Sequence, residues 1–520
     1  MELDALDRLA DSAFDGFLVR KDLVRRYSRH YPVPTYVVEF LLGRYCATVN
    51  EQEIAEGLQV VERQLADRAV RTGQEELFKA RAREKGSVKL IDLVKARLDA
   101  RNDCFLAELP SLQLRDVRID DRLVHDHERM LTDGFYAEVL LSYDAAIAQE
   151  QSGRPFAIDS LRAIQLSKSD VLSVLAKGRA QFATEEWKSF LIRSIGLEPA
   201  SLSERAKLVV LLRMIPFVER NYNLVELGPR GTGKSHLYQQ ISPNSHLISG
   251  GKATVAKMFV NNANGQRGLV CHYDVVCFDE VAGISFDQKD GVNIMKGYMA
   301  AGEFSRGKES IRASGSIVIV GNLDVDVEQQ QRISHLLAPL PPEMRYDTAF
   351  MDRLHSYVPG WDFPKVNPHE HLTGHFGLVS DFLSECWTKL REASRVSVLQ
   401  GRVNWGGALS GRDIEAVTRT SSGLIKLLFP DPSMPVPDEE LEKIVRLGLE
   451  SRRRVKEQQK RVLKTEFRNT HLSYFMGVDG VEQFVSTPEL HSEDRIESDP
   501  LPPGQVWAIS PGGQDAAPSL

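Results

Sequence analysis

The sequence predicts an α/β core built on a parallel sheet, followed by a helical lid and preceded by a mainly helical N-terminal region with a small β-containing part. Three observations predict it. LVELGPRGTGKSHL (224–237) sets a glycine-rich turn between a strand-like run and a helix. DVVCFDE (274–280) and IVIVGN (317–322) are short apolar runs of buried-strand length, each ending in polar groups. On both sides of them, apolar residues recur at helical spacing.

Length and composition set the frame. At 520 residues the chain has room for roughly three to four domains. Apolar residues make up 42% and charged residues 26%, an ordinary globular balance. The net charge is −7, so no global basic excess points to nucleic acid, and any such binding needs local patches. Cys46, Cys104, Cys271, Cys277 and Cys386 form no CxxC pair, which argues against a disulfide framework or a zinc site and fits a reducing cytoplasm. MELDALDRLADSAFDGF lacks a signal pattern, and no stretch approaches the roughly 18 apolar residues of a membrane span.

The elements follow in order. Residues 1–110 read as a helical N-terminal domain: LVRKDLVRRYSRHY (18–31), a PVPT turn, YVVEFLLGRYC (36–46), then Ile54, Leu58, Val61 and Leu65 on one helix face. Residues 111–200 read as mixed α/β, with LQLRDVRID, FYAEVLLSYD (135–144) and LRAIQLS (161–167) as strands and helices resuming from 168. The α/β core spans 201–370, alternating apolar runs with glycine-rich turns. Lid and C-terminal helices fill 371–485. Ser410 and Asp413 make a capping-box-like start, and Ile414, Val417, Ser421, Leu424 and Leu428 continue the helix. ELEKIVRLGLESRRRVKEQQKRVLKTEF extends it with a long charged helix over 438–468. Residues 486–520 read as an acidic, proline-rich linker and the strand-like start (VWAIS, 506–510) of a truncated or absent further domain.

The chemistry centres on GxxxxGK[ST]. Gly228, Pro229, Arg230, Gly231, Thr232 and Gly233 let backbone N–H groups close around phosphate oxygens, and the following helix adds its dipole. Lys234 reaches the β- and γ-phosphates and Ser235 holds Mg²⁺, so the expected ligands are ATP and Mg²⁺. Asp279, at the tip of a buried strand, is a second Mg²⁺ candidate acting through water, and Glu280 is placed to polarise the attacking water. Asn322, at the tip of the next strand, can hydrogen-bond the γ-phosphate or orient that water; the competing reading is a turn-forming amide.

Strand and P-loop, strand and DE, strand and Asn, in this order, resemble the plan of the AAA+ ATPases. That resemblance implies ring assembly, ATP sites shared between neighbours, and an arginine finger near the end of the α/β domain. AFMDRLHSYVPGW (349–361) offers Arg353, with Arg345 ranked below it; an ion pair of Arg353 with Asp352 or Asp347 is the alternative. Arg412, in SGRDIEAV, resembles the sensor-2 arginine of a helical lid, against an exposed first-turn arginine.

Longer strings carry a closer resemblance. NYNLVELGPRGTGKSHLYQQ, SGGKATVAKMFVNN, GLVCHYDVVCFDEVAGI, KGYMAAGEFSRGKESIRASGSIVIVGN and FMDRLHSYVPGW together resemble the BrxL family, the Lon-related AAA+ ATPases of bacteriophage-exclusion (BREX) systems. The resemblance covers most of 1–485, including VRKDLVRRY and VPTYVVEFLLGRYCAT. It implies phage defence, DNA binding, hexameric rings that can stack as double hexamers, an ATPase core similar to that of MCM helicases, and contact with other BREX proteins. Long members also carry a C-terminal Lon-like domain. A Lon-type peptidase needs a Ser–Lys dyad, and no lysine follows residue 486, so peptidase activity is expected to be absent from this chain.

The substrate reading rests on cations. EFSRGKESIRASGS (303–316) precedes the Asn322 strand, where MCM-like ATPases insert a channel hairpin, and its Arg306, Lys308 and Arg312 suit phosphates; the alternative is a solvated loop. Arg20, Lys21, Arg25, Arg26 and Arg29 form a second candidate DNA contact or a charged surface helix. The basic half of the last helix, 452–468, is read as a DNA contact, a packing surface or a solvated face. The expected function is an ATP-hydrolysing ring ATPase that binds, and translocates on or encircles, duplex DNA. A Lon-like protein unfoldase and a nucleotide-gated DNA scaffold are the alternatives.

Overall fold

The computed structural model describes residues 3–131, 134–149, 153–164, 170–249, 252–253, 255–260, 267–283, 285–286, 291–306, 309–477 and 480–489. The chain starts with five helices, Ala5–Ala13, Lys21–Ser28, Thr35–Tyr45, Glu51–Arg68 and Glu75–Lys85. Asp4 and Asp7 close a capping box on the first of them. On the fourth, Ile54, Val61 and Leu65 are buried, as their spacing requires, and Leu58 is half-buried. A short strand, Leu18–Arg20, pairs antiparallel with Phe376–Leu378 and ties this region to the C-terminal half.

A closed five-stranded barrel follows. Around it run Ser87–Asp99, Cys104–Leu109, Leu114–Ile119, Phe156–Ala163 and Phe135–Tyr143, the last closing on the first. Phe135–Tyr143 alternates buried and half-buried residues along most of its length, the pattern that announces a strand. The expected helical stretch to 110 is corrected here: the helices end at Lys85, and two barrel strands lie before 110. The reason is double burial. In SVKLIDLVKARLD, Leu90 faces the barrel interior while neighbouring Ile91 packs into the main core with the helices, so the period of two is broken there. The strand expected at 161–167 is Phe156–Ala163; residues 165–169 lie outside the described residues, as does VWAIS.

The α/β core is a five-stranded parallel sheet. Across it the strands run Ser356–Pro359, Leu224–Gly228, Ser316–Asn322, Val275–Asp279 and Ser245–Ser249. Every pairing is parallel. Successive residues feed opposite faces. Leu224, Val275, Cys277, Val318, Val320 and Val358 join the main core, whereas Val225, Leu227, Val276, Phe278, Ile317 and Ile319 join a second one. Both faces are therefore covered, which is why these runs are continuously apolar.

Ser410 and Asp413 do cap the helix Gly411–Leu428 reciprocally. It packs against Glu204–Val218 and against the long helix Asp438–Val462. That last helix ends at Val462, short of the expected 468, and its basic half divides. Arg452, Arg453 and Arg454 are fully buried within the chain, as a packing surface requires, whereas Lys464 and Arg468 beyond the helix end are exposed. Arg452 pairs with Asp352 at 2.9 Å and Asp413 at 2.7 Å, and Arg454 pairs with Glu450 and Glu489. Buried guanidinium groups persist only where carboxylates and carbonyls satisfy them, and apart from Glu450 on the same helix these carboxylates come from other segments of the chain.

Candidate nucleotide site

The strand Leu224–Gly228 is wholly buried and ends at the glycine-rich turn. Gly231 and Gly233 hold φ of +82° and +72°, left-handed values that side chains disfavour, so the turn can fold back into the helix Lys234–Gln240. Thr232 is buried between them. From behind, Arg213 braces the turn: it grips Glu226 through two hydrogen bonds, 2.9 and 2.6 Å, and donates to Thr232 O at 3.2 Å. Nothing in the motif marks this pair, although Glu226 is a carboxylate in an otherwise apolar strand.

Lys234 is 6% exposed and folds over the turn. Its Nζ donates to Pro229 O at 2.7 Å and, more weakly, to Gly228 O and Thr232 Oγ1 at 3.3 Å. Burial lowers its pKa, against the opposing pull of Glu226 and Asp279. An ammonium held on neutral carbonyls beside a carboxylate-bearing strand tip fits an anionic ligand such as a phosphate.

Sheet register brings the other candidates to the same edge. Asn322 pairs with Gly228, and Phe278, the residue before Asp279, pairs with Ile319. Asp279, Asn322 and the turn thus lie at the C-terminal ends of adjacent parallel strands, where open α/β sheets bind ligands. Asp279 is half-buried and accepts from Glu280 N at 2.9 Å. Glu280 is exposed and holds a φ of +52°. A non-glycine residue in that region stores strain and aims its side chain away from the strand's path, a feature common at working sites. Ser235 is half-buried at the start of the helix Lys234–Gln240, and Arg230 is exposed with Asp324 at 3.7 Å. The oxygens of Ser235 and Asp279 are the hard donors that Mg²⁺ prefers.

Arg353 and Arg412 form a separate cluster. Arg412 Nη1 lies 2.6 Å from Asp352 Oδ2, and Arg353 Nη1 donates to Ala349 O. Arg353 Nε is buried without a hydrogen bond among the described residues. Neither arginine pairs with the glycine-rich turn of its own chain in the described contacts. Arg345 Nε donates to Leu340 O at 2.9 Å.

The other cation candidates divide. Glu303–Arg306 and Glu309–Arg312 form an antiparallel hairpin, with Arg306 opposite Glu309. Phe304 anchors it against Phe259 and Tyr298, and Arg312 is exposed 3.3 Å from Glu303. Lys308 and Gly307 lie outside the described residues. In the N-terminal segment, Lys21 is buried, paired with Glu39 and donating to Leu378 O at 2.7 Å, which removes it from any DNA-facing surface. Arg20 pairs with Asp22 and Glu51, and Arg25 donates to Thr373 O. Arg26 and Arg29 are exposed. An apolar stripe cannot announce a buried lysine, because its partner Glu39 belongs to the next helix.

Comparison with known proteins gives a consistent result. Residues 156–473 match the family model described as "Lon-like protease BrxL-like, ATPase domain", and residues 12–143 match "BREX system Lon protease-like protein BrxL N-terminal". The chain is 44% identical over 505 residues to "Lon-like protease BrxL" of Escherichia coli O9:H4 (strain HS), covering 97% of this chain and 72% of the relative. It is 42% identical over 511 residues to the protein of the same name from Bacillus cereus (strain H3081.97), covering 98% and 75%.

Proposed function

The chain belongs to the BrxL family, and from that premise we propose that it is an AAA+ ATPase that hydrolyses ATP while bound to duplex DNA in a BREX defence system. The observation that carries the proposal is the convergence of Lys234, Asp279, Glu280 and Asn322 at one edge of the parallel sheet. Four residue types in that arrangement divide the work of phosphoryl transfer.

The turn from Gly228 to Gly233 cradles the phosphates with backbone N–H groups. Lys234 leaves its carbonyl partners to neutralise charge on the β- and γ-phosphates. Ser235 and Asp279 would hold Mg²⁺, which supplies further neutralisation of the phosphate oxygens when bound. Glu280 takes the proton of the attacking water, and Asn322 fixes that water or the γ-phosphate. Arg353 and Arg412 serve the γ-phosphate of a neighbouring subunit in a ring, the hexamer or double hexamer that the family resemblance implies; their position around Asp352, off the turn of their own chain, supports that role. The hairpin Glu303–Arg312 is the DNA contact, with Arg306, Lys308 and Arg312 meeting phosphates.

Among the described residues no helix is long and apolar enough to cross a membrane. Phosphate release by the purified chain, with and without duplex DNA, tests the proposal. Turnover that is absent in both conditions overturns it, and turnover stimulated only by an unfolded protein favours the unfoldase reading.

A further inference from the structure

A cavity of about 930 Å³ opens beside the glycine-rich turn. Gly231, Thr232 and Gly233 form one end of it, and the P-loop helix contributes His236 and Gln240. The facing wall is not part of the α/β core. It comes from the N-terminal region, through Val24, Arg25 and Arg29 and the turn Pro32–Thr35.

The cavity has the size and the two-ended chemistry of a nucleotide pocket. Small-molecule sites run to roughly 300–1,000 Å³ and are mostly apolar with a few placed polar groups. One end offers backbone groups suited to phosphate. The rest is walled by apolar side chains such as Val24, Leu197 and Val366, with guanidinium groups among them. Arg29 is exposed and has no ion pair among the described residues. Nearby Arg25 is fixed by donating to Thr373 O.

The N-terminal wall is held on the P-loop helix directly. Thr35 donates to Gln240 Oε1 twice, from its backbone N at 3.2 Å and from Oγ1 at 2.8 Å. Behind it, Lys21 ties its helix to Glu39 and to Leu378 O, and Glu39 also accepts from Ser380 Oγ at 2.6 Å. A helix anchored from both sides can present Val24 and Arg29 at a fixed position.

We propose that this cavity receives the nucleoside of a bound purine triphosphate, and that Val24 and Arg29 of the N-terminal region form the wall that recognises it. The inference rests on the ATP reading above and deepens it. The basic segment that resembles a DNA contact in the sequence then has a different job: one of its arginines braces the wall and another meets the sugar. The same contact makes the N-terminal region part of the nucleotide site, so occupancy is felt outside the ATPase core.

The experiment uses the full chain and two probes, ATP and inorganic tripolyphosphate, each titrated by calorimetry. Arg29→Ala changes an exposed side chain, and Val24→Trp fills the cavity. Thermal unfolding checks that both variants are folded. The expected result is a loss of ATP affinity of about tenfold or more, the scale of one hydrogen bond to a charged group, with tripolyphosphate binding unchanged. Wild-type ATP affinity in a folded Arg29→Ala and a folded Val24→Trp overturns the inference. So does a parallel loss of both probes, because the wall would then act on the P-loop and not on the nucleoside. Should the wild-type chain bind neither probe, the ATP reading itself falls.

Discussion

Arg412 and Asp352 form an ion pair, 2.6 Å from Nη1 to Oδ2, between residues 60 positions apart in the sequence. The second carboxylate oxygen of Asp352 takes buried Arg452 at 2.9 Å. One carboxylate thus serves a half-exposed arginine with a proposed catalytic role and a buried one with a structural role. The two can be separated. Arg412→Ala should cost under about 1 kcal/mol of stability, as exposed ion pairs do, yet lower ATP turnover severalfold. Asp352→Asn should cost about 3 kcal/mol because Arg452 loses a buried partner. Thermal unfolding and phosphate release on both variants check this, and full turnover in Arg412→Ala would make it a surface arginine.

Lys234→Ala and Glu280→Gln should fail in different ways. The first loses the cation at the phosphates and should lose both ATP binding and turnover. The second keeps the turn intact and should bind ATP while turnover falls by about 10²–10⁴, the range for a positioned base. A binding assay beside a phosphate-release assay distinguishes them. Turnover retained in Glu280→Gln would move the base elsewhere.

The hairpin makes a quantitative prediction about salt. Lys308→Ala and Arg312→Ala should each weaken duplex binding regardless of DNA sequence. Each should also lower the slope of log affinity against log salt by about one, the effect of one lost phosphate contact. Unchanged titrations would take the hairpin off the DNA path.

Lys21 provides the opposite case. Lys21→Met should leave that salt slope at the wild-type value, because the side chain is buried with Glu39. It should instead destabilise the fold by about 3–5 kcal/mol, the cost of leaving a buried carboxylate unpaired. Chemical denaturation beside DNA binding tests both halves.

Acid should weaken the helix Asp438–Val462 in a definable window. Burial alone would raise the pKa of Glu450, but Arg454 and Arg205 outweigh it and hold the carboxyl at about 2, below its ordinary 4.5. A folded-state pKa below the unfolded one means stabilisation that is complete above the unfolded value and lost as pH falls through the folded one. Between pH 4.5 and 2 the melting temperature should therefore drop more steeply in wild type than in Glu450→Gln, measured by differential scanning calorimetry.

The placement of the candidate site residues was more legible in the sequence than the scaffold around them. Gly228 to Ser235 can be read directly because phosphate cradles need glycine at fixed intervals. Asp279 and Asn322 can be read because polar residues ending apolar runs mark strand tips. The expected hairpin is likewise present, with Arg306 opposite Glu309. What failed depends on contacts between distant segments. The strand Ser87–Asp99 is buried at consecutive residues Leu90, Ile91 and Asp92, which interrupts its alternation. Lys21 and Arg452 look like surface cations until Glu39, Asp352 and Asp413 are brought beside them. Arg213, the brace of the glycine-rich turn, has no signal beyond one carboxylate in an apolar strand.

The buried arginines of the last helix also bear on modularity. Asp352 belongs to the segment after the central strands and Asp413 to the lid, yet both are neutralised by Arg452. The two parts therefore share one counterion and are not interchangeable cassettes. A chimaera that took its helix Gly411–Leu428 from a relative would have to import residues 347–355 with it, and a fragment trimmed before Arg452 would strip buried Asp413 of both Arg452 and Lys456 and leave Asp352 with Arg412 alone. A fragment that keeps Asp413 paired must reach past Gly411–Leu428 and through the helix that looks most dispensable in the sequence.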